Sequence, residues 1–331
     1  MSTVETTPAR PRRRRRTITV ISAISAGVLA VGTVGVVSQL EASAAESSPV
    51  GFASLNGGTK GGSTGTTVTV TTAAALKTAI SSSTSQTVKV SGLITIAGMY
   101  TVASNKTIIG VGSASGVTGG GFNLSAVKNV IIRNLVFKNA SDDSINLQSG
   151  TTNVWIDHND LSNGYDGLID IKRGSDFVTV SWNHLHNHDK SMLLGHDDAN
   201  GAQDIGHLRV TYVHNWFDGT NQRHPRVRFG NPVHVLNNYY SNIGSYGVGS
   251  AMGAGVFVER NYFENVAKPT ITTVAESDPG NIKVLNNYKV NSGTEQTRNA
   301  SSVAAIPYSY TPEAAANVKA TVTAGAGTGK I

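Results

Sequence analysis

The stretch QRHPRVRFG, residues 222–230, holds Arg223, Arg226 and Arg228 within six positions around Pro225. Fixed positive charge this dense suits an anion, either nucleic acid or an acidic sugar polymer, or else a solvated face of salt bridges. On a strand Val227 and Phe229 would point into a core while Arg226 and Arg228 point out, with Arg223 on the turn leading in. A second charged set lies upstream: Asp142 and Asp143 in DDSINL, then Asp166 and Asp170 in DGLIDIKRGSD. Clustered carboxylates repel one another and need a compensating cation, and an all-oxygen set suits calcium. On a straight strand Asp166 and Asp170 would stand about 13 Å apart, so a bend at Gly167 is expected if both serve one ion. The bland alternative is a set of turn aspartates paired with Lys172 or Arg173.

The elements that must position these side chains come from a repeat. VIIRNLVF, VWIDHNDL, VTVSWNHL, RVTYVHNWF, VHVLNNYY, VFVERNYF and IKVLNNYK each form a short alternating run closed by an asparagine. Those asparagines are Asn134, Asn159, Asn183, Asn215, Asn238, Asn261 and Asn287, spaced by 25, 24, 32, 23, 23 and 26 residues. A strand-rich unit of this period predicts one coil of a parallel β-solenoid, with asparagines at the bends bonding up and down the stack. Asp143 and Asp166, 23 residues apart, then fall on neighbouring coils. VKVSGLITI and NKTIIGVG read as degenerate early coils, and TTAAALKTAI (71–80) as an amphipathic helix with Thr72 as N-cap, capping the open end. The step of 32 carries about eight extra residues, in DKSMLLGHDDANGAQDIGH, and predicts a loop on the binding side one coil before the arginines.

Composition narrows the class. Charged residues make up 15% of the chain and 36 of its 331 residues are glycine, which favours strands and tight turns: the fold class is all-β. Arg10 and Arg12 to Arg16, the apolar run Ile18–Val37 and Ala42-Ser43-Ala44 have the order of a secretory signal over residues 1–44, leaving one domain at 45–331. The arginine run is compatible with twin-arginine export, and an uncleaved anchor is the alternative. Residues 1–44 hold six Arg and two Glu, so 21 basic and 19 acidic residues remain, a net of +2. A body this weakly charged argues against a nucleic-acid partner. The absence of cysteine excludes disulfides, thiol catalysis and cysteine zinc sites.

VWIDHNDLS, DGLIDIKRGSDFVTVSWN, HNHDKSMLLG and QRHPRVRFG, in this order, resemble the signature of extracellular pectate lyases of polysaccharide lyase family 1. The similarity runs from about Ser48 to Ile331. It implies a right-handed parallel β-helix and calcium-dependent β-elimination of polygalacturonate by a secreted protein, a monomer by default, with no membrane partner once the signal is removed. Position by position it implies Asp143, Asp166 and Asp170 as calcium ligands, Arg223 as catalytic base, and Lys190 and Arg228 as substrate-binding residues. Asp142 is read as an auxiliary ligand and Arg226 as a subsite contact only.

Other residues invite chemistry and are read as structural. His184, His186 and His188 alternate like a zinc face, but the string specifies neither a distant ligand nor an orienting carboxylate, so they are taken as surface or core histidines. Asp157 and His158 are taken as a buried hydrogen-bonded pair and Trp155 and Trp182 as core or wall. Tyr239, Tyr240, Tyr262 and Phe263 are expected to stack along one side. Three rivals are a calcium-independent pectin lyase, a polygalacturonase working through paired carboxylates, and a non-catalytic polysaccharide-binding solenoid.

Overall fold

Runs such as Val154-Trp155-Ile156 and Val178-Thr179-Val180 alternate over three to six residues and then stop at a residue with positive φ, so each strand is short and the chain must turn. The computed structural model describes Met1 and residues 46–331; the expected signal segment thus lies outside the described residues, except for Met1. The strands stack in parallel as a β-solenoid of about 10 turns. One sheet has ten strands, from Thr66–Val70 to Asn281–Leu285. A second sheet holds two ladders that share the strand Gly116–Ser125. One of them, here the second ladder, contains Asp160–Ser162, His184–His186 and Trp216–Asp218. The third ladder contains Ile145–Gln148, Gly167–Ile171, Lys190–Leu194 and Arg226–Arg228.

Parallel register puts like on like. Val154, Val178, Val210, Val233 and Val256 align on one wall, and Phe137, Leu161, Leu185, Phe217, Tyr240 and Phe263 on another. All of these are fully buried. The expected aromatic stack exists as two rows. Tyr240 and Phe263 stack inside, centroids 4.5 Å apart, while Tyr239 and Tyr262 face outward beneath the C-terminal helix Val318–Gly325. Trp155 and Trp182 are buried, and His158 Nδ1 meets Asp157 Oδ2 at 2.6 Å, as the sequence suggested.

The asparagine stack is continuous from Asn159 to Asn287. Each side-chain amide donates to the next Oδ1 at 2.9 to 3.0 Å, and so does each backbone N–H, at 2.8 to 3.1 Å. Two sequence-based expectations need correction. Leu135, not Asn134, occupies the equivalent place one coil earlier, where its N–H donates to Asn159 Oδ1. The left-handed residue is also not the stacked asparagine but the one before it: His158, Trp182, His214, Asn237, Arg260 and Asn286, with Asn134 aligned to these. The turn is made one position early so that the amide can point along the stack.

The helix Ala73–Ser81 lies over the first coils, as expected. Thr72 Oγ1 accepts from Ala75 N, and Leu76, Ala79 and Ile80 close the core. The segment before it crosses the ten-stranded sheet, where Phe52 N donates to Thr211 Oγ1 and Ala53 N to Thr179 Oγ1.

Candidate active site

On the third ladder, Asn123, Asn146, Asp170, Leu193, Arg226 and Gly249 occupy one register row. Neighbouring strands lie roughly 4.8 Å apart, so Asp170 and Arg226, two rungs apart, are separated by about 10 Å. Asp143, Asp166, Lys190 and Arg223 stand at or just before the strand starts of four successive coils, because Gly167 pairs with Lys190 and Lys190 bridges to Gln222. The 23-residue offset of the two aspartates thus becomes spatial adjacency.

Carboxylate oxygens of Asp142, Asp143 and Asp166 lie within 4.8 Å of one another. Asp143 Oδ1 accepts from Gly167 N at 2.9 Å, and its Oδ2 lies 3.2 Å from Lys172 Nζ, which is in turn 3.8 Å from Asp170 Oδ2. Burial raises the Asp143 carboxyl above its ordinary range against the pull of Lys172. Burial, then the Asp143 charge, does the same to Asp170, whose Oδ1 is enclosed without a hydrogen-bond partner. Asp166 shifts the opposite way, held down by a 2.9 Å bond from Lys190 Nζ. The Asp142, Asp143 and Asp166 oxygens form a donor group that fits a divalent cation, whereas Asp170, with its orphaned oxygen across Gly167 from Asp143, lies outside that 4.8 Å group.

The expected bend at Gly167 is absent: Gly167–Ile171 is a regular strand. Gly167 matters for space instead. A Cβ there would stand 2.2 Å from Asp170 Oδ1 and 3.0 Å from Asp143 Oδ1, so only glycine lets both carboxylates share this ground.

The arginines divide. Arg223 has φ +64°, and its Nε is buried without a partner; its charge lowers both Asp166 and Asp170. Arg226 is half-buried, with Nη2 donating to Ser277 Oγ at 3.0 Å; burial, then Arg228, lowers its pKa. Arg228 is only 8% exposed: Nη1 donates to Gly195 O at 2.9 Å and Nε to Asp198. Asp198 also accepts from Ser277 Oγ and belongs to the predicted insertion, which folds as Asp198–Asn200 and Gly201–Asp204. That loop therefore clamps Arg228. The expectation that Phe229 points into the core fails, since it is half-buried at φ +60° just past the strand Arg226–Arg228.

Sequence reasoning treated Lys172 only as a bland partner, yet it is the cation inside the carboxylate group. The signal was its place two residues after Asp170, on the same face of the chain. It also missed the run of the cleft towards earlier coils, a space of about 320 Å³ lined by Asn123, Asn146, Gln148, Lys172, Arg173 and His196 beside the aspartates.

Comparison with known proteins identifies the family. The family model described as pectate lyase matches residues 17–331. The chain belongs to the pectate lyase family. A pectate trisaccharide-lyase of Bacillus licheniformis is 38% identical over 87% of this chain and 88% of its own length, and a probable pectate lyase B of Aspergillus terreus is 40% identical over 76% and 79%. Among solved structures, a pectate lyase of Bacillus sp. N165 in complex with trigalacturonate superposes with a TM-score of 0.77 at 32% identity, covering 85% of this chain and 99% of that one. The pectate lyase reading of the four sequence motifs therefore stands, and the chain is a polysaccharide lyase.

Proposed function

We propose that this pectate lyase is a secreted, monomeric enzyme that cleaves α-1,4-linked polygalacturonate by calcium-dependent β-elimination, leaving a 4,5-unsaturated sugar on the product. One observation carries the reading: a carboxylate group that would hold a cation and, two rungs on, the Arg223 guanidinium whose charge reaches Asp166 lie along the same ladder. Such a surface suits a polyanion bridged through a cation and offers a neutral glycan no charge to pair with. The bound trigalacturonate of the Bacillus sp. N165 relative supports the same substrate class. Secretion rests on the basic, apolar, Ala-Ser-Ala order of residues 1–44.

Elimination removes the C5 proton of a galacturonate beside its carboxylate and breaks the bond to O4. Asp143, Asp166 and Asp170 would hold calcium, with Asp142 auxiliary. Calcium, when bound, supplies positive charge to the C6 carboxylate. Lys190, 35% exposed at its side chain, can turn from Asp166 to the same carboxylate. Arg228, clamped by Asp198, offers fixed charge at the far end of the trough. Arg223 is assigned the C5 proton. A guanidinium ordinarily keeps its proton up to about pH 12, so a proton-accepting role calls for alkaline operation. No other side chain is assigned the O4 proton, which water supplies.

The test incubates purified protein with polygalacturonate, follows the ultraviolet absorbance of the unsaturated product, and repeats the assay with chelator. Absorbance that chelator abolishes and calcium restores supports the proposal. Chelator-resistant turnover removes the metal, reducing ends without absorbance indicate hydrolysis, and binding without either indicates a lectin-like solenoid.

A further inference from the structure

The second ladder carries a group of side chains that the elimination does not use. Asp160 pairs with His184, and His186 with Asp218 one coil on. Leu161 and Leu185 point into the core between them, so Asp160, His184 and His186 share the outward face. Asp160 sets one oxygen 3.1 Å from His184 Nδ1 and the other 3.1 Å from His186 Nε2. The two imidazoles stack with centroids 4.5 Å apart, and donor atoms of the three residues all lie within 4.8 Å of one another. Side-chain exposures of 20 to 26% leave the group open to solvent.

The orienting carboxylate that the string alone did not specify is present in the fold. His184 Nε2 faces Asp218 Oδ2 at 3.3 Å, and Trp216 stacks on the same ring at 4.3 Å, so the imidazole is fixed in angle and in plane. The Asn187 amide lies 3.0 Å from His186 Nδ1, where a half-turn of that amide gives an acceptor for Nδ1–H. Zinc binds imidazole nitrogen and carboxylate oxygen at about 2.0–2.2 Å, which places neighbouring tetrahedral ligands roughly 3.3–3.5 Å apart. The 3.1 Å separations, one from each Asp160 oxygen, and the three donor atoms within 4.8 Å bring the group near that edge. Two nitrogens and a carboxylate favour a borderline transition metal, whereas calcium requires six or more oxygens.

We propose that Asp160, His184 and His186 bind a divalent transition-metal ion of the zinc class, with Asp218 orienting His184, at a site distinct from the carboxylate cleft. Nδ1 of His184 and Nε2 of His186 ligate, and Nε2–H of His184 donates to Asp218 as the outer carboxylate of a metal–histidine pair. The ion joins successive coils and leaves one tetrahedral position for water.

The full chain, stripped with chelator and dialysed, is titrated with Co²⁺ in excess calcium while the visible ligand-field absorption is recorded. Zn²⁺ is then added to displace the cobalt. One zinc-displaceable cobalt per chain is expected, with tetrahedral intensity and a rise in Tm. Asp170→Asn should leave this binding unchanged. Asp218→Asn should weaken it by about 10–100-fold, the usual cost of losing an outer-sphere carboxylate. His186→Ala should abolish it, with circular dichroism confirming the fold. Absence of stoichiometric binding at micromolar cobalt overturns the site and leaves histidine–aspartate ion pairs. Binding that survives His186→Ala, that Asp218→Asn does not weaken, or that calcium displaces also overturns it. If His186→Ala does not fold, Asp218→Asn decides alone.

Discussion

Gly167→Ala isolates what the strand geometry does for the proposed calcium site. The backbone at Gly167 is in a regular strand without positive φ, so alanine costs nothing there and slightly restricts the unfolded chain, worth about 0.4–1 kcal/mol of stabilisation. All the harm falls on the carboxylates. The added methyl would sit 2.2 Å from Asp170 Oδ1, where ordinary contact begins at 3.4 Å, so the carboxylate must retreat by about an ångström. Asp170 is 2% exposed and cannot swing out to water; it can only rotate towards Lys172, 3.8 Å from its Oδ2. A ligand displaced by that much leaves the shared site, and misplacement of about 1 Å costs on the order of 100-fold in rate where positioning governs it. The expected outcome is a 10–100-fold rise in the calcium concentration for half-maximal turnover, with the free energy of unfolding in chelator within about 1 kcal/mol of wild type. The assay is absorbance of the unsaturated product against free calcium, with calorimetric titration of calcium alongside. Wild-type calcium affinity in a folded Gly167→Ala protein would refute the claim that Asp143 and Asp170 share one site across this glycine.

Three further perturbations follow from the same geometry. Asp170→Asn should raise Tm in chelator and at the same time weaken calcium binding: the raised carboxyl of Asp170 means that its ionisation in the fold opposes stability as pH rises, and asparagine cannot ionise. A Tm that falls in chelator, with calcium affinity intact, would contradict it. Arg223→Lys should lower kcat by about 100–10,000-fold with unchanged circular dichroism, and an active variant would remove Arg223 as the base. His224, fully buried between Thr220 Oγ1 and Tyr246 O, has its pKa pushed down to about 4, so the unfolded chain binds its proton first as pH falls. Stability from this residue is thus full above about pH 6.5 and lost towards pH 4, roughly 3 kcal/mol in all. His224→Gln should flatten that limb of a urea denaturation series, and an unchanged slope would count against it.

Local signals and the repeat period were legible in the string. Thr72 and the pattern around Leu76 specify a cap and an apolar face within a few residues, and they held. The period of 23 to 26 residues announced coils, because identical units stack in parallel register. That register alone carries Asp143 next to Asp166, and it was readable as a number. The one-residue error at Asn134 came from matching letters where the structure matches hydrogen bonds: Leu135 N–H meets Asn159 without needing a side-chain amide.

The sequence by itself determined the all-β solenoid, the pectate lyase family and the roster of charged residues, since these depend on periodicity and on ordered motifs along the chain. Only the tertiary structure decided which of those charges touch. Asp198 on Arg228, Lys172 on Asp143, and Asp160 with Asp218 around His184 are contacts between different coils. Side-chain direction there depends on where each coil turns and on which neighbour fills the space, and a Coulomb contact or a metal ligand is settled at a scale of about an ångström. The repeat period fixes only which coil a residue joins.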